Sequence, residues 1–261
     1  LKKKLLERVL FAALIACSAY LLVSAVGLTR LHASGSRTFH SWGLGFGAPG
    51  SVPTGPMDSG TLEKVQAKYL VCGSDEKKLA LTFDVGYENG HTAKILDTLQ
   101  KTDVKALFFV TGHFVSENAA LLNRMKDEGH LVGNHTSKHP DMKKKADSES
   151  FSLELTTLND DFRAATGKEI DKYYRPPGGV FNLEQLEYAK EMGYTTLFWS
   201  LAYVDWEVDK QPSRETAFNK LLPRTHPGAI VLLHTTSATN ADILEELIAK
   251  WKDAGYEFVL P

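Results

Sequence analysis

Asp84, Arg175 and His234 each follow directly on a short apolar run that reads as a β-strand, and His135 and His139 follow a fourth such run within a few residues. Side chains at the carboxyl ends of successive parallel strands converge on one face of an α/β barrel, where such folds keep their chemistry. Solvation alone would not favour those positions for polar residues. A carboxylate and an imidazole brought together there can move protons, and a pair of imidazoles can share a metal ion. The chain reads as an enzyme that does so.

Each motif has a plainer alternative. In Thr82-Phe83-Asp84-Val85-Gly86, Asp84 leaves an apolar strand beside a glycine turn, where it can act as a general base or simply cap the turn. His135-Thr136-Ser137-Lys138-His139 sets two imidazoles four apart, which one helical turn would bring to one face. Read alone, they are solvated histidines. The glutamate that a metalloprotease helix carries after its first histidine is missing, which excludes that class. In Arg175-Pro176-Pro177-Gly178-Gly179 the prolines stiffen the loop and the glycines let backbone N–H groups approach a ligand. Such a loop can hold an oxyanion, and one oxyanion donor is worth about 3–4 kcal/mol in the transition state. Its guanidinium can also keep a carboxylate ionised; the alternative is an ordinary turn with a surface arginine. Asp205-Trp206, beyond the run Phe198-Trp199-Ser200, offers a carboxylate to orient an imidazole and an indole platform for a sugar ring, or a core Trp. Leu232-Leu233-His234-Thr235 ends a strand in a histidine, a placement that is often structural.

The elements that must position these residues are legible from about Lys77. Candidate strands are Leu79–Phe83, Ala106–Val110, His130–Gly133, Tyr173–Tyr174, Thr195–Ser200, Ala229–Leu233 and Glu257–Leu260. Between most of them, apolar residues recur three or four apart, as in Leu121, Leu122 and Met125. Strands alternating with amphipathic helices predict an α/β fold with a parallel sheet. No Gly-rich phosphate loop follows any strand, so a distorted (β/α) barrel of about seven parallel strands fits better than a doubly wound sheet. Residues 34–62 are rich in Gly, Ser and Pro, but Trp42 and Phe46 give this arm something to dock with.

The chain has 261 residues, is 43% hydrophobic and carries a net charge of −2. That suffices for one sizeable core and gives no basic field to recruit nucleic acid. Its two cysteines, Cys17 and Cys72, support neither a disulfide framework nor a cysteine zinc site. Lys2, Lys3, Lys4 and Arg8 precede an apolar run from Val9 to Leu28, long enough for a bilayer helix. Basic residues on its N-terminal side predict that the remainder is extracytoplasmic. The run is either a retained membrane anchor or a signal peptide cut after a small residue such as Ala25. The expected organisation is 1–30 anchor or signal, 31–76 linker or arm, and 77–261 catalytic domain.

Taken in order, Thr82–Gly86, His135–His139, Arg175–Gly179, Asp205-Trp206 and Leu232–Thr235 resemble the five motifs of the polysaccharide deacetylases that share the NodB homology domain, a carbohydrate esterase family 4-like group. The resemblance covers Lys77 to Pro261. It implies a metal-assisted N-deacetylase on a distorted (β/α) barrel. By position, Asp84 matches the general base, His234 the general acid, Arg175 the residue that positions the base, and Asp205 the partner of the acid. His135 and His139 match the metal-binding histidines, for a divalent cation of the zinc, manganese or magnesium type. The Gly178 N–H falls at the oxyanion, with Trp206 and Leu232 at the substrate groove. One position departs: the second acidic residue of the family's first motif, a metal ligand, is here Val85, which has no donor atom. This leaves the need for metal open.

Phe83–Thr92, Thr111-Gly112-His113-Phe114, Val204-Asp205-Trp206 and His226-Pro227-Gly228-Ala229-Ile230 are further similar to the spore-cortex muramic δ-lactam de-N-acetylases, a subgroup that tolerates a non-acidic residue at the Val85 position. That similarity implies peptidoglycan glycan strands as substrate, after an amidase has removed the stem peptides from N-acetylmuramic acid. The freed amine would then close on the lactyl carboxyl as a lactam. Rival readings are a deacetylase of N-acetylglucosamine or another polysaccharide, and a glycan-binding pseudo-enzyme. Asp84 and His234 speak against the last, since a binder needs neither base nor acid.

Overall fold

All seven runs read as strands form strands, and the sheet gains an eighth from the N-terminal arm. The computed structural model describes residues 38–73 and 76–261, so the expected anchor or signal at 1–30 lies outside the described residues. No helix among the described residues is long and apolar enough to cross a membrane. In chain order the elements are β1 (His40–Ser41), α1 (Ser59–Lys64), β2 (Ala67–Lys68), β3 (Lys78–Val85), α2 (Thr92–Thr102), β4 (Ala106–Val110), α3 (Gly112–Glu117) and α4 (Ala119–Asp127). They continue with β5 (Leu131–Asn134), α5 (Ser148–Thr166), β6 (Tyr173–Tyr174), β7 (Val180–Phe181), α6 (Leu183–Glu191) and β8 (Thr195–Leu197), then α7 (Arg214–Leu221), β9 (Ala229–His234), α8 (Ala238–Asp253) and β10 (Glu257–Phe258).

The sheet runs β10-β3-β4-β5-β6-β8-β2, with β9 also paired to β3, and all its pairings are parallel. It curls back on itself because the chain after β8 changes partner. Phe198 N–H still bonds the Lys68 carbonyl, but Ser200 N–H bonds that of Ile230, and Leu201 bridges to Val231. This switch ends β8 at Leu197, short of the Ser200 expected from the apolar run. The result is a distorted barrel.

Period-two alternation decides what each strand residue faces. On β3, Leu79, Leu81, Phe83 and Val85 enter the outer core, against Ile95, Leu96 and Leu99 of α2 and Leu244 and Leu247 of α8. Ala80 packs in the barrel interior with Leu107, Phe109, Leu197 and Ile230. Asp84 shares the parity of Ala80, so the same alternation delivers a carboxylate to the mouth of the interior. Register then aligns the chemistry: Asp84 pairs with His234, Val110 with both Val85 and Asn134, and Asn134 with Tyr174. The residues after these strand ends therefore lie at one level.

Of the arm expected over 31–76, the described residues from Phe39 on belong to the same compact unit as the barrel, Phe39–Pro261. β1 pairs antiparallel with β7, Trp42 stacks on Phe198 with ring centroids 4.2 Å apart, and its indole N–H donates to the Trp199 carbonyl at 2.8 Å. Its aromatic residues explain why it docks.

Candidate active site

Arg175 is fully buried directly beneath the strand ends. Its Nη1 donates to Asp84 Oδ1 at 2.7 Å, Nη2 to Thr82 Oγ1 at 2.9 Å, and Nε to the Leu197 carbonyl at 3.0 Å. Thr82 Oγ1 in turn donates to the Val231 carbonyl, and the guanidinium lies 4.2 Å from the centre of the Phe109 ring. The planar fork is thus held on three sides and presents one N–H to the carboxylate. Burial would raise the Asp84 carboxyl, but the Arg175 charge, helped by His135 and His234, outweighs it and holds the group below its ordinary value.

His135 stands 3.5 Å from the other oxygen of Asp84 through Nε2. Its Nδ1 meets the Arg175 carbonyl at 2.8 Å. A carbonyl can only accept, so Nδ1 carries the proton and Nε2 keeps a free lone pair. Burial lowers this imidazole to about 4, despite the nearby Asp84 charge, so it is neutral near pH 7. His139 lies edge-on to it, with ring centroids 4.9 Å apart.

The two histidines meet, but not through the helical turn that their spacing suggested. Thr136 and His139 have φ of 69° and 48°, so 135–139 is a loop that turns through two left-handed residues. The surroundings fix it. Thr136 N–H donates to Asn134 Oδ1, His139 N–H to Thr136 Oγ1, and Lys138 N–H to Oε2 of the buried Glu154. Val85, by contrast, is wholly buried in the outer core and contributes nothing to this wall.

On the far side, Asp205 is buried and receives three N–H donors. His234 N–H reaches Oδ2 at 2.9 Å, Asn240 Nδ2 reaches Oδ2 at 2.6 Å, and His234 Nδ1 reaches Oδ1 at 2.7 Å. Burial would lower the His234 imidazole, but the Asp205 charge and its hydrogen bond outweigh it and raise the group above 6.5. Trp206 packs edge-on against His234 at 5.5 Å.

A cavity of about 630 Å³ opens over these groups. Asp84, His135, His139, Gly178, Trp206, Leu232 and His234 all line it, so the structure gathers them on one wall system. Arg175 and Asp205 lie behind that wall. Gly178 has φ of 58°, and a Cβ there would meet nothing within 4 Å. Glycine is there for the backbone turn, which leaves the peptide open toward the cavity. Thr82, Asn240 and Glu154, to which the sequence assigns no role, hold the site from behind. Asn240 carries no local signal at all: it sits in the first turn of α8 and becomes relevant only through the return of the chain to Asp205.

Comparison with known proteins decides the family. A family model described as polysaccharide deacetylase matches residues 73–197. The chain is 44% identical over 220 residues to the peptidoglycan-N-acetylmuramic acid deacetylase PdaA of Bacillus subtilis, covering 82% of this chain and 83% of that protein. The chain belongs to the polysaccharide deacetylases. The solved structure of B. subtilis PdaA, a family 4 carbohydrate esterase, superposes with a TM-score of 0.80 at 42% identity, covering 86% of this chain and 95% of that one. A peptidoglycan-N-acetylglucosamine deacetylase of Bacillus cereus is 33% identical, covering 71% of this chain and 67% of that protein. A family 4 pseudoenzyme from Bacillus anthracis superposes with a TM-score of 0.67 at 31% identity, covering 74% and 66%. As a polysaccharide deacetylase the chain is a hydrolase of amide bonds, an N-deacetylase.

Proposed function

We propose that this polysaccharide deacetylase removes the acetyl group from N-acetylmuramic acid in peptidoglycan strands whose stem peptides an amidase has stripped. The freed amine then closes on the lactyl carboxyl to give muramic δ-lactam, the chemistry of a spore cortex. The similarity to PdaA supports the substrate class, and the export-type run before residue 30 supports action outside the cytoplasm. The catalytic reading rests on one observation: Asp84 and His234 are register partners at one cavity, and their surroundings push their proton affinities apart. Groups so separated serve as base and acid.

In this reading Asp84, held ionised by Arg175, takes a proton from water as that water attacks the acetyl carbonyl carbon. The Gly178 N–H receives the developing oxyanion. His234, kept protonated by Asp205, gives its proton to the leaving nitrogen. Trp206 and Leu232 wall the sugar. Weakening the Asp205 charge lowers the His234 pKa, so Asp205→Asn is expected to move the alkaline limb of kcat to lower pH. The linked stability, present below 6.5 in the wild type and lost as pH rises through the raised pKa, should shrink with it. A pH–rate profile with an unmoved alkaline limb would remove Asp205 from this role.

The two imidazoles fit a divalent cation as donors, because the Arg175 carbonyl fixes the His135 tautomer with Nε2 free and burial keeps that ring neutral. Among the described residues no group of three or more His, Cys, Asp or Glu is placed to hold one. His135 and His139 would hold the ion, water completing its shell, and it would supply Lewis-acid polarisation of the acetyl carbonyl. Zinc titration calorimetry should show one site in the wild type and none in His135→Gln; equal binding by both proteins would remove the pair as ligands.

Mass spectrometry of glycan strands with and without prior amidase treatment tests the substrate. Loss of acetyl from muramic acid only after the amidase, followed by loss of water, is the expected result. Loss from glucosamine instead would favour the specificity of the B. cereus relative.

A further inference from the structure

Beside the reaction cavity, between the docked arm and the β8–α7 connection, lies a second pocket of about 400 Å³. Trp199, Trp206 and Leu232 line both, so the two form a continuous trough. Phe46 and Arg224 line this pocket and not the reaction cavity, and the Arg224 guanidinium stacks on the Phe46 ring at 4.0 Å. Lys220 also lines the pocket. Neither cation has an ion-pair or side-chain hydrogen-bond partner among the described residues, and no acidic residue lines the pocket. In a chain of net charge −2, this concentrates two unmatched positive charges at one end of the trough. Phe46 and Trp206 remain 36% and 50% exposed, an aromatic surface the fold does not cover.

We infer that this pocket extends the sugar-binding trough, and that its far end takes a carboxylate-bearing sugar one disaccharide repeat from the reacting one on the same strand. An aromatic face suits the apolar face of a sugar ring. A stacked guanidinium is pre-oriented and offers a planar fork to a carboxylate. Continuity with the cavity makes the occupant part of the same substrate. The inference rests on the muramic acid reading, because the carboxylate is the lactyl group of a second peptide-stripped muramic acid, reached across the intervening N-acetylglucosamine. The arm thereby acquires a function: it supplies Phe46 and closes the trough.

The test uses calorimetric binding to the full chain carrying Asp84→Asn, which blocks turnover, with and without R224Q. The probes are a peptide-stripped tetrasaccharide with two muramic acids, a disaccharide with one, and a neutral N-acetylglucosamine tetrasaccharide. R224Q is expected to weaken the two-muramic tetrasaccharide about tenfold, as loss of a charge-assisted pair should, and to leave the other two unchanged. Added salt should narrow that gap. Equal affinity for the tetrasaccharide with and without R224Q would overturn the inference. Equal weakening of the disaccharide would place the carboxylate on the reacting sugar, and equal weakening of the neutral strand would reduce Arg224 to packing; either overturns it. Failure of the muramic acid reading shows separately, as acetyl loss from glucosamine in the wild-type digest.

Discussion

Asp84→Asn is expected to lower kcat by about 10²–10⁴-fold while glycan binding persists. The substitution keeps the shape of the side chain. Its remaining carbonyl oxygen can still accept from Arg175 Nη1, and its new amide N–H can face the lone pair on His135 Nε2. What is lost is basicity. An amide cannot take a proton from water at neutral pH, so attack on the acetyl carbon loses the base proposed for it. If, as proposed, Asp84 acts on the attacking water while Trp206 and Leu232 wall the sugar, the loss falls on kcat. Acetate release in a single turnover measures the first quantity, and calorimetry with a glycan strand the second. Turnover at the wild-type rate would show that Asp84 is structural and would return the pseudo-enzyme reading to consideration.

Much of the barrel was legible because its strands are short apolar runs that end in a polar residue. Ala106–Val110 and Tyr173–Tyr174 fall where their composition places them. The misplaced boundaries have tertiary causes. His130 reads as the start of a strand, but its Nδ1 accepts the Ala106 N–H, so it caps the neighbouring strand instead. β2 has two residues, too few to leave a periodic signal, and exists because β8 needs a neighbour where the barrel changes partner. β1 and β7 are equally short and form only because the arm lies against the Gly179 turn.

The site shows a similar division. The groups facing the cavity are polar residues at strand ends, and local sequence marks such positions. The groups that hold them are not marked. Thr82 is one more β-branched strand residue until Arg175 arrives from 93 positions away. Glu154 sits inside α5, yet its carboxylate receives the Lys138 N–H and its carbonyl the Ser137 N–H, which steadies the loop that joins the two histidines. The spacing of those histidines suggested the right neighbour by the wrong geometry, because contact four residues apart can come from a left-handed loop as well as from a helical turn.

Arg175→Met is expected to cost about 3–5 kcal/mol of folding stability at pH 7 and to remove most activity. Replacing both members of a buried ion pair by apolar groups can be nearly neutral, but removing one strands the other. Here the stranded group is Asp84, which would keep His135 at 3.5 Å but lose the charge that overcomes its burial. Its carboxyl would then rise, and the base would be protonated over part of the working range, so the acid limb of kcat should move to higher pH. The sign of the stability effect follows from the wild type. There the Asp84 pKa lies below its ordinary value of 3.8, so its stabilising contribution is full above that value and is lost as pH falls through the folded pKa. The gap between wild type and Arg175→Met should therefore be widest at neutral pH and narrow toward pH 3, which urea unfolding at several pH values would read. Arg175→Lys separates charge from geometry: an ammonium can keep the carboxylate ionised but cannot also reach Thr82 and the Leu197 carbonyl. It should recover the acid limb while leaving kcat depressed. If Arg175→Met unfolds at the same urea concentration as the wild type across this pH range, the ion pair does not hold Asp84 in the way the geometry requires.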